Sequence, residues 1–374
     1  MSDRSPFSRL LNDVFTAGAA ARDVLARRLP RSPLGVTLYD GFGWGDRALI
    51  NGRALRDERL PPATAADARW RNLIAMLRRA DADAIPHAVV RVHVGQASQD
   101  FAADEEGFLH GWMSAASPER IDEDWVKVSA ELVSPVPDDE PVTAQAKLYH
   151  PSVPPQLLII SDIDDTVLQS KVTNLLSAAR TMLLENAHTR LPFLGVAAFY
   201  RALRRGANGD ARNPLFYVSS SPWNVYDVIT QFLQLQGIPH GPVLLRDVDI
   251  GFDTLSSRHH HSHKREMIRR VLTTYPGVPV VLVGDSGQQD PEIYRDVVHE
   301  HPERVRAVYI RDVTGHPERS LVIQQLSAEI LAAGSTLLLT PDTLAAASHA
   351  VELGLIGANE LEEIRDEKKA DAPG

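Results

Sequence analysis

Leu157-Leu158-Ile159-Ile160-Ser161-Asp162-Ile163-Asp164-Asp165-Thr166 is the stretch on which the fold turns. Leu157 to Ile160 are apolar without alternation, the pattern of a short strand covered on both faces, as in a parallel sheet between helices. The strand runs into Asp162, Asp164 and Asp165, so three carboxylates stand at the carboxyl edge of an α/β sheet, where such sheets bind ligands. Like charges this crowded repel unless protons or a cation relieve them. Mg²⁺, a hard cation that takes oxygen ligands, suits the set.

Beyond Thr166, apolar strand patterns and helical patterns alternate. Strands are expected near 157–162, 215–219, 243–245, 279–284, 305–310 and 336–339. Helices are expected across 172–188, 196–205, 224–236, 264–274, 292–300 and three more within 320–366, one before the strand at 336–339 and two after it, Pro341 and Asp342 opening the first of that pair. This is the signature of a doubly wound α/β domain. Upstream, His150-Pro-Ser-Val-Pro-Pro155 carries three prolines in six residues, which neither a helix nor a central strand accepts, and so marks a boundary. From Gly35 to Tyr149 short alternating runs such as Val90/Val92/Val94 and Val126/Val128/Ala130/Leu132, with turn clusters GFGWGD and DEEG, predict a mostly antiparallel β-sandwich. A helix over 65–79 interrupts it. Residues 4–29 space their apolar positions as a basic amphipathic helix, one that docks on its own protein or lies on an anionic membrane. The expected organisation is an N-terminal helix (1–34), a β-rich accessory domain (35–150), a linker (151–155), the α/β domain (156–366) and a flexible tail (367–374).

A chain of 374 residues with 44% hydrophobic content is large enough for two cores. Its net charge of −10 argues against binding a nucleic-acid backbone. The absence of cysteine removes disulfides, thiolate metal sites and thiol nucleophiles together. With no signal-like or membrane-spanning run in the pattern, a cytoplasmic protein is expected.

Three later stretches support Asp162. The strand ending at Ser219-Ser220-Ser221-Pro222-Trp223-Asn224 offers hydroxyls, with Ser221 as an expected N-cap ahead of Pro222, a seat suited to phosphate. Lys264 follows His259-His260-His261-Ser262-His263 and is expected to open a helix, where a cation needs an anion opposite. Val280 to Val283 runs into Gly284-Asp285-Ser286-Gly287-Gln288-Gln289-Asp290, adding two carboxylates to the metal-ligand inventory. The EF-hand alternative fails, because Val167 and Thr173 stand where that loop needs Gly and Glu. Neither a serine-hydrolase elbow nor a P-loop is present in the sequence. Asp165 is either a neighbour of the metal ligands or a turn residue. The histidine run either binds metal or lipid phosphate or solvates a loop. Trp223, Arg246 and Arg311 are either rim groups or packing groups.

Taken in order, DxDxT, a strand to Ser, Lys, and GDxxxxD resemble the haloacid dehalogenase superfamily of phosphotransferases. More closely, IDDTVLQS, YVSSSPWNVYD, GDSGQQDPEIY and the RDV at 311–313 resemble the catalytic domain of the actin patch protein type, lipin-related phosphatidate phosphatases. The resemblance implies a Rossmannoid domain with a small cap between the first two motifs. It implies that Asp162 attacks phosphorus and carries an aspartyl phosphate, and that Asp164 acts as general acid and then base. By the same resemblance Ser219 and Lys264 are catalytic, and Thr166, Ser220, Trp223 and Asn224 lie on the substrate side. Mg²⁺ falls to Asp162, Asp164, Asp285 and Asp290. The expected function is a Mg²⁺-dependent phosphatidate phosphatase that yields diacylglycerol and phosphate and touches the membrane peripherally. The rivals are a phosphatase of a soluble phosphomonoester and a non-catalytic lipid-phosphate binding module. The actin connection of fungal relatives, which rests on proline-rich tails, is not implied.

Overall fold

The computed structural model describes residues 33–56, 83–137, 140–163, 194–246 and 257–371. The expected helices at 4–29, 65–79 and 172–188, together with Asp164, Asp165 and Thr166, lie outside the described residues.

The first half forms one sheet of seven strands, in the order β4-β3-β6-β7-β1-β2-β5. They are β1 (Leu34–Trp44), β2 (Arg47–Arg56), β3 (Val89–Val94), β4 (Ala97–Ala102), β5 (Phe108–Ser114), β6 (Trp125–Ser134) and β7 (Thr143–Tyr149). All neighbours are antiparallel except β1 and β7. Alternation holds as expected: Val126, Val128, Ala130 and Leu132 of β6 are buried with Val90, Val92 and Val94 of β3, while the residues between them are half exposed. In place of two separate sheets, the single sheet curls until its edges meet. Gln99 of β4 donates to the Trp112 carbonyl of β5 at 3.4 Å, and Phe101 fills the space over Gly111. GFGWGD is only partly a turn. Gly45 and Asp46 make the reversal, Gly45 at φ 66°, whereas Gly41 and Gly43 remain in β1 because carbonyls of β2 approach too closely for a side chain.

The second half is a six-stranded parallel sheet in the order β10-β9-β8-β11-β12-β13. Its strands are β8 (Leu158–Asp162), β9 (Leu215–Pro222), β10 (Val243–Arg246), β11 (Val280–Asp285), β12 (Val305–Arg311) and β13 (Leu337–Thr340). The described helices are α1 (Val196–Arg205), α2 (Tyr226–Leu235), α3 (Ser257–Thr274), α4 (Asp290–Glu300), α5 (Pro317–Ala332), α6 (Thr343–Glu352) and α7 (Glu360–Asp371). Successive residues of β8 and β9 serve opposite faces. Ile159, Leu215 and Tyr217 pack with α1, α2, α6 and α7, while Leu158, Ile160, Phe216 and Val218 pack with α3, α4 and α5. Burial on both sides explains why LLII shows no alternation. Counted from β8, this is the doubly wound order 3-2-1-4-5-6, which reverses between β8 and β11.

Three expectations shift. α3 begins at Ser257, so Lys264 is interior to the helix rather than opening it, and the histidine run is part of that helix. β9 continues through Pro222, which is extended and in register with Arg246, so Ser221 is a buried strand residue and not an N-cap. A helix extends past residue 367, where a tail was expected. Glu363 and Glu367 of α7 pair with Arg201, Glu363 also lies 2.7 Å from Arg205, and Lys368 pairs with Asp342. Asp342 caps α6 as expected, accepting from the Ala345 N–H at 3.0 Å.

The two halves share cores. Phe42, Leu49, Trp125 and Tyr149 of the β domain are buried among Phe216 and Tyr275, and the Tyr275 hydroxyl donates to the Gly43 carbonyl at 3.0 Å. No helix among the described residues is long and apolar enough to cross a membrane.

Candidate active site

β8 and β11 flank the point where strand order reverses, and their carboxyl ends carry Asp162 and Asp285. Asp290, at the start of α4, closes the loop after β11. One oxygen from each of Asp162, Asp285 and Asp290 falls within a 4.8 Å cluster. Lys264 comes in from α3, 1% exposed, with Nζ 2.7 Å from Asp162 Oδ1 and 2.7 Å from Asp290 Oδ1. The anion opposite the lysine is therefore a pair of the protein's own carboxylates.

Local sequence explains the geometry. Asp290 Oδ2 accepts the Asp285 N–H at 3.2 Å, so Asp290 folds back over the strand end. A Cβ at Gly284 would stand 2.4 Å from that oxygen, which makes glycine the residue that admits Asp290. Asp285 Oδ1 accepts the Gly287 N–H at 2.7 Å, pinning the loop. On β8 the Ser161 hydroxyl donates to the Asp162 carbonyl at 3.0 Å and accepts from Tyr200 at 2.7 Å. Burial pushes the Tyr200 phenol up to about 12, so it stays a donor. Burial, reinforced by Asp290 and Asp162, raises Tyr294 well above the usual tyrosine range, and its hydroxyl donates to the Val283 carbonyl at 2.8 Å.

A further layer of residues fixes the Asp285 loop. Arg319 of α5 donates through Nε to the Ser286 carbonyl at 2.9 Å and through Nη2 to the Gln288 carbonyl at 2.5 Å, while Glu292 holds its guanidinium. Asp312 accepts from Ser286 Oγ at 3.2 Å and from the Gly315 N–H at 3.0 Å. The Gly315 N–H first, then the Ser286 and Thr314 donors, hold the Asp312 carboxyl below its ordinary value against burial. Arg311 lies in register with Asp285 on the neighbouring strand; burial lowers its pKa while Asp285 and Asp342 oppose that. Carboxylates still outnumber cations in the cluster, so an oxygen-seeking divalent cation fits the donor set.

Asp162, Lys264, Asp285 and Asp290 thus share one buried cluster. Ser219 lies at the neighbouring strand end, fully buried, its Oγ accepting the Ser221 N–H at 3.0 Å; Ser220 is half-buried beside it. Trp223 is not a rim group: it is buried and stacked on Tyr39. Asp164 and Thr166, and the side chain of Asn224, lie outside the described residues, as do the side chains of His259 to His261. Sequence reading missed Ser161, Tyr200, Gly284 as the seat of Asp290, Glu292, Asp312 and Arg319. Of these Ser161, Gly284, Glu292 and Asp312 stood inside quoted stretches without their contacts being legible there, and Tyr200 and Arg319 carried no signal.

Residues 157–312 match the family described as phosphatidate phosphatase APP1, catalytic domain. Phosphatidate phosphatase APP1 of Saccharomyces cerevisiae is 30% identical over 168 residues, covering 43% of this chain and 28% of that protein. An uncharacterized protein of Schizosaccharomyces pombe is 27% identical over 165 residues, covering 41% of this chain and 25% of its own length. The chain thus spans about a quarter of the length of these relatives. Among solved structures, a PilB minor pilin from Streptococcus sanguinis aligns at a TM-score of 0.29 and 8% identity, over 83% of this chain and 99% of that one, a likeness too low to carry an argument. The segment that closes around Asp162, Lys264, Asp285 and Asp290 is the one that matches, so residues 157–312 are similar to the APP1-type phosphatidate phosphatase catalytic domain.

Proposed function

We propose that the chain is a Mg²⁺-dependent phosphatidate phosphatase of haloacid dehalogenase-like fold, working from the cytoplasm on phosphatidate presented at a membrane surface. The observation that carries the reading is the buried ammonium of Lys264 between Asp162 and Asp290, beside Asp285, in the segment that matches the APP1 catalytic domain. A carboxylate nucleophile beside a phosphate dianion needs positive charge close by, and this cluster has one fixed cation and a donor set for a second.

In this reading an Asp162 carboxylate oxygen attacks phosphorus, the ester P–O bond breaks, and the departing alkoxide of diacylglycerol takes a proton from Asp164. Water then attacks the aspartyl phosphate, gives a proton to Asp164, and releases orthophosphate as the acyl P–O bond breaks. Lys264 balances the charge of the nucleophile, and Ser219 binds a phosphoryl oxygen. Magnesium, held by Asp162, Asp285 and Asp290 with Asp164, would supply charge neutralisation beside the attacking group.

Phosphate release from phosphatidate in mixed micelles, with and without Mg²⁺, tests this beside a soluble aryl phosphate and an Asp162→Asn control. Metal-dependent release from the lipid, lost in the variant, is expected. Turnover of the aryl phosphate alone would reassign the substrate to a soluble phosphomonoester. Turnover of neither would leave a lipid-phosphate binding module.

A further inference from the structure

The β domain breaks the alternation of β1 once, and the break points at the phosphate side of the site. Between Tyr39 and Phe42 the register against β2 shifts, with Asp40 and Gly41 in a bulge. In an unbroken strand Tyr39 and Phe42, three positions apart, would face opposite sides. Tyr39 faces away from the β-domain core, which keeps Leu38, by alternation, and the bulge turns Phe42 to the same side, so that the two enter the two cores shared with the catalytic domain. Gly41 is required there, since a Cβ would stand 2.2 Å from the Leu49 carbonyl oxygen.

The groups at and beside the bulge have partners across the domain boundary. The Tyr39 ring stacks on Trp223 with centroids 4.8 Å apart and planes 18° from parallel, and Tyr226 closes on the same ring at 4.6 Å. The Asp40 N–H donates to the Tyr226 hydroxyl at 3.0 Å, and the Asp40 carboxylate lies 3.1 Å from His240 Nε2. Trp223 belongs to the turn that leaves β9 directly after Ser219 to Pro222, and Tyr226 opens α2 behind it. Asp162, Lys264, Asp285 and Asp290 hang instead on β8, α3, β11 and α4.

We propose that Tyr39, beside the β1 bulge, is a positioning residue for the phosphoryl side of the site: it fixes Trp223, and through it the strand end that carries Ser219. This gives the β domain a task in turnover, and it rests on the phosphatase reading. The two supports are separate, so loosening Tyr39 should weaken phosphate binding and leave metal binding intact.

The test uses the full chain with Tyr39→Leu and the ring-preserving Tyr39→Phe. Three constants are read: KM for a soluble aryl phosphate, the inhibition constant of orthophosphate, and Mg²⁺ affinity by calorimetry without substrate. Tyr39→Leu should raise KM and the orthophosphate constant about tenfold, the scale of a lost aromatic pair, with Mg²⁺ affinity held within about twofold. Tyr39→Phe should restore both phosphate constants. If Tyr39→Leu does not fold, Tyr226→Phe, which removes only the partner of the Asp40 N–H, should show the same split at about threefold. Unchanged phosphate constants in a folded variant would overturn the proposal, and so would a parallel loss of metal affinity, which marks general loosening. If the wild-type chain neither hydrolyses the aryl ester nor binds orthophosphate, the phosphatase reading falls and takes this one with it, before any variant is compared.

Discussion

Replacing Lys264 by Met keeps most of the side-chain volume and removes the charge. Its Nζ lies 2.7 Å from a carboxylate oxygen of both Asp162 and Asp290, and its side chain is 2% exposed. At an effective dielectric constant of about 20, each contact is worth about 6 kcal/mol of Coulomb attraction before desolvation. Desolvation of the three charges cancels much of that. What decides the outcome is that the carboxylates stay buried without their counter-ion, and breaking such a group from one side costs about 3–5 kcal/mol. Spread over a domain of this size, that lowers Tm by about 6–20 °C. The loss should depend on metal. In a chelator the variant melts far below wild type. Millimolar Mg²⁺ should recover more stability in the variant than in wild type, because it then relieves three carboxylates that no ammonium shares. Thermal melts of both proteins in chelator and in Mg²⁺, followed by circular dichroism, give the comparison directly. A variant that melts within 1 °C of wild type in chelator, or gains no more than wild type from Mg²⁺, would refute the charge argument on which the site assignment stands. Turnover should fall by about a thousandfold or more in the folded, metal-loaded variant, since the cation beside the attacking carboxylate is gone.

Asp162→Asn should reduce phosphate release to background while a melt still shows a folded protein, because the proposed nucleophile is lost and its volume is not. Gly284→Ala puts a Cβ 2.4 Å from Asp290 Oδ2; the carboxylate must move, and calorimetry should show Mg²⁺ affinity down about tenfold with a stability loss of about 1–3 kcal/mol. Arg319→Lys keeps the charge but cannot hold the Ser286 carbonyl and Glu292 together, so the Mg²⁺ concentration for half-activation should rise several-fold with kcat at saturating metal nearly kept. Burial, with Arg120 adding, outweighs the Gly45 carbonyl and lowers His150 from its ordinary value of 6.5, and burial lowers His301 likewise. The unfolded chain therefore takes up these protons first as pH falls, so stability should decline from about pH 6.5 downward until the depressed folded values are passed. His150→Gln should flatten that decline in a urea titration series, and an unchanged slope would place the effect elsewhere.

The catalytic sheet was legible because its strands are buried on both faces. LLII, PLFYV and VVLV read as parallel strands for the same reason that Ile159 and Ile160 end in different cores. The β domain was legible strand by strand but not as a whole. Alternation identifies which side of a strand is buried and says nothing of how far a sheet curls, so a sandwich was expected where one sheet closes on itself. Gly41 and Gly43 looked like turn residues since sequence cannot distinguish a glycine that bends the chain from one that lets a carbonyl approach.

In the site, the carboxylates were legible and the devices that aim them were not. Asp162, Asp285 and Asp290 announce themselves by standing at strand ends and in a glycine loop. Lys264 was found for a reason the structure replaces: it does not sit at a helix start waiting for a ligand but deep in α3, already matched by Asp162 and Asp290. Arg319 acts on a loop thirty-odd residues upstream, and Tyr39 acts on Trp223 from another domain; no local pattern encodes contacts of that range. Trp223 was left open between rim and packing for the same reason, and the structure favours packing. An aromatic after a strand end is open to either reading until a second domain is found covering it, and the bulge at Asp40 and Gly41 that turns Phe42 to the side of Tyr39 appears in sequence only as a break in alternation. The two supports are thus written differently. In the proposed reading the metal side is carried by residues whose own chemistry marks them, and the phosphate side by packing that only the assembled pair of domains creates.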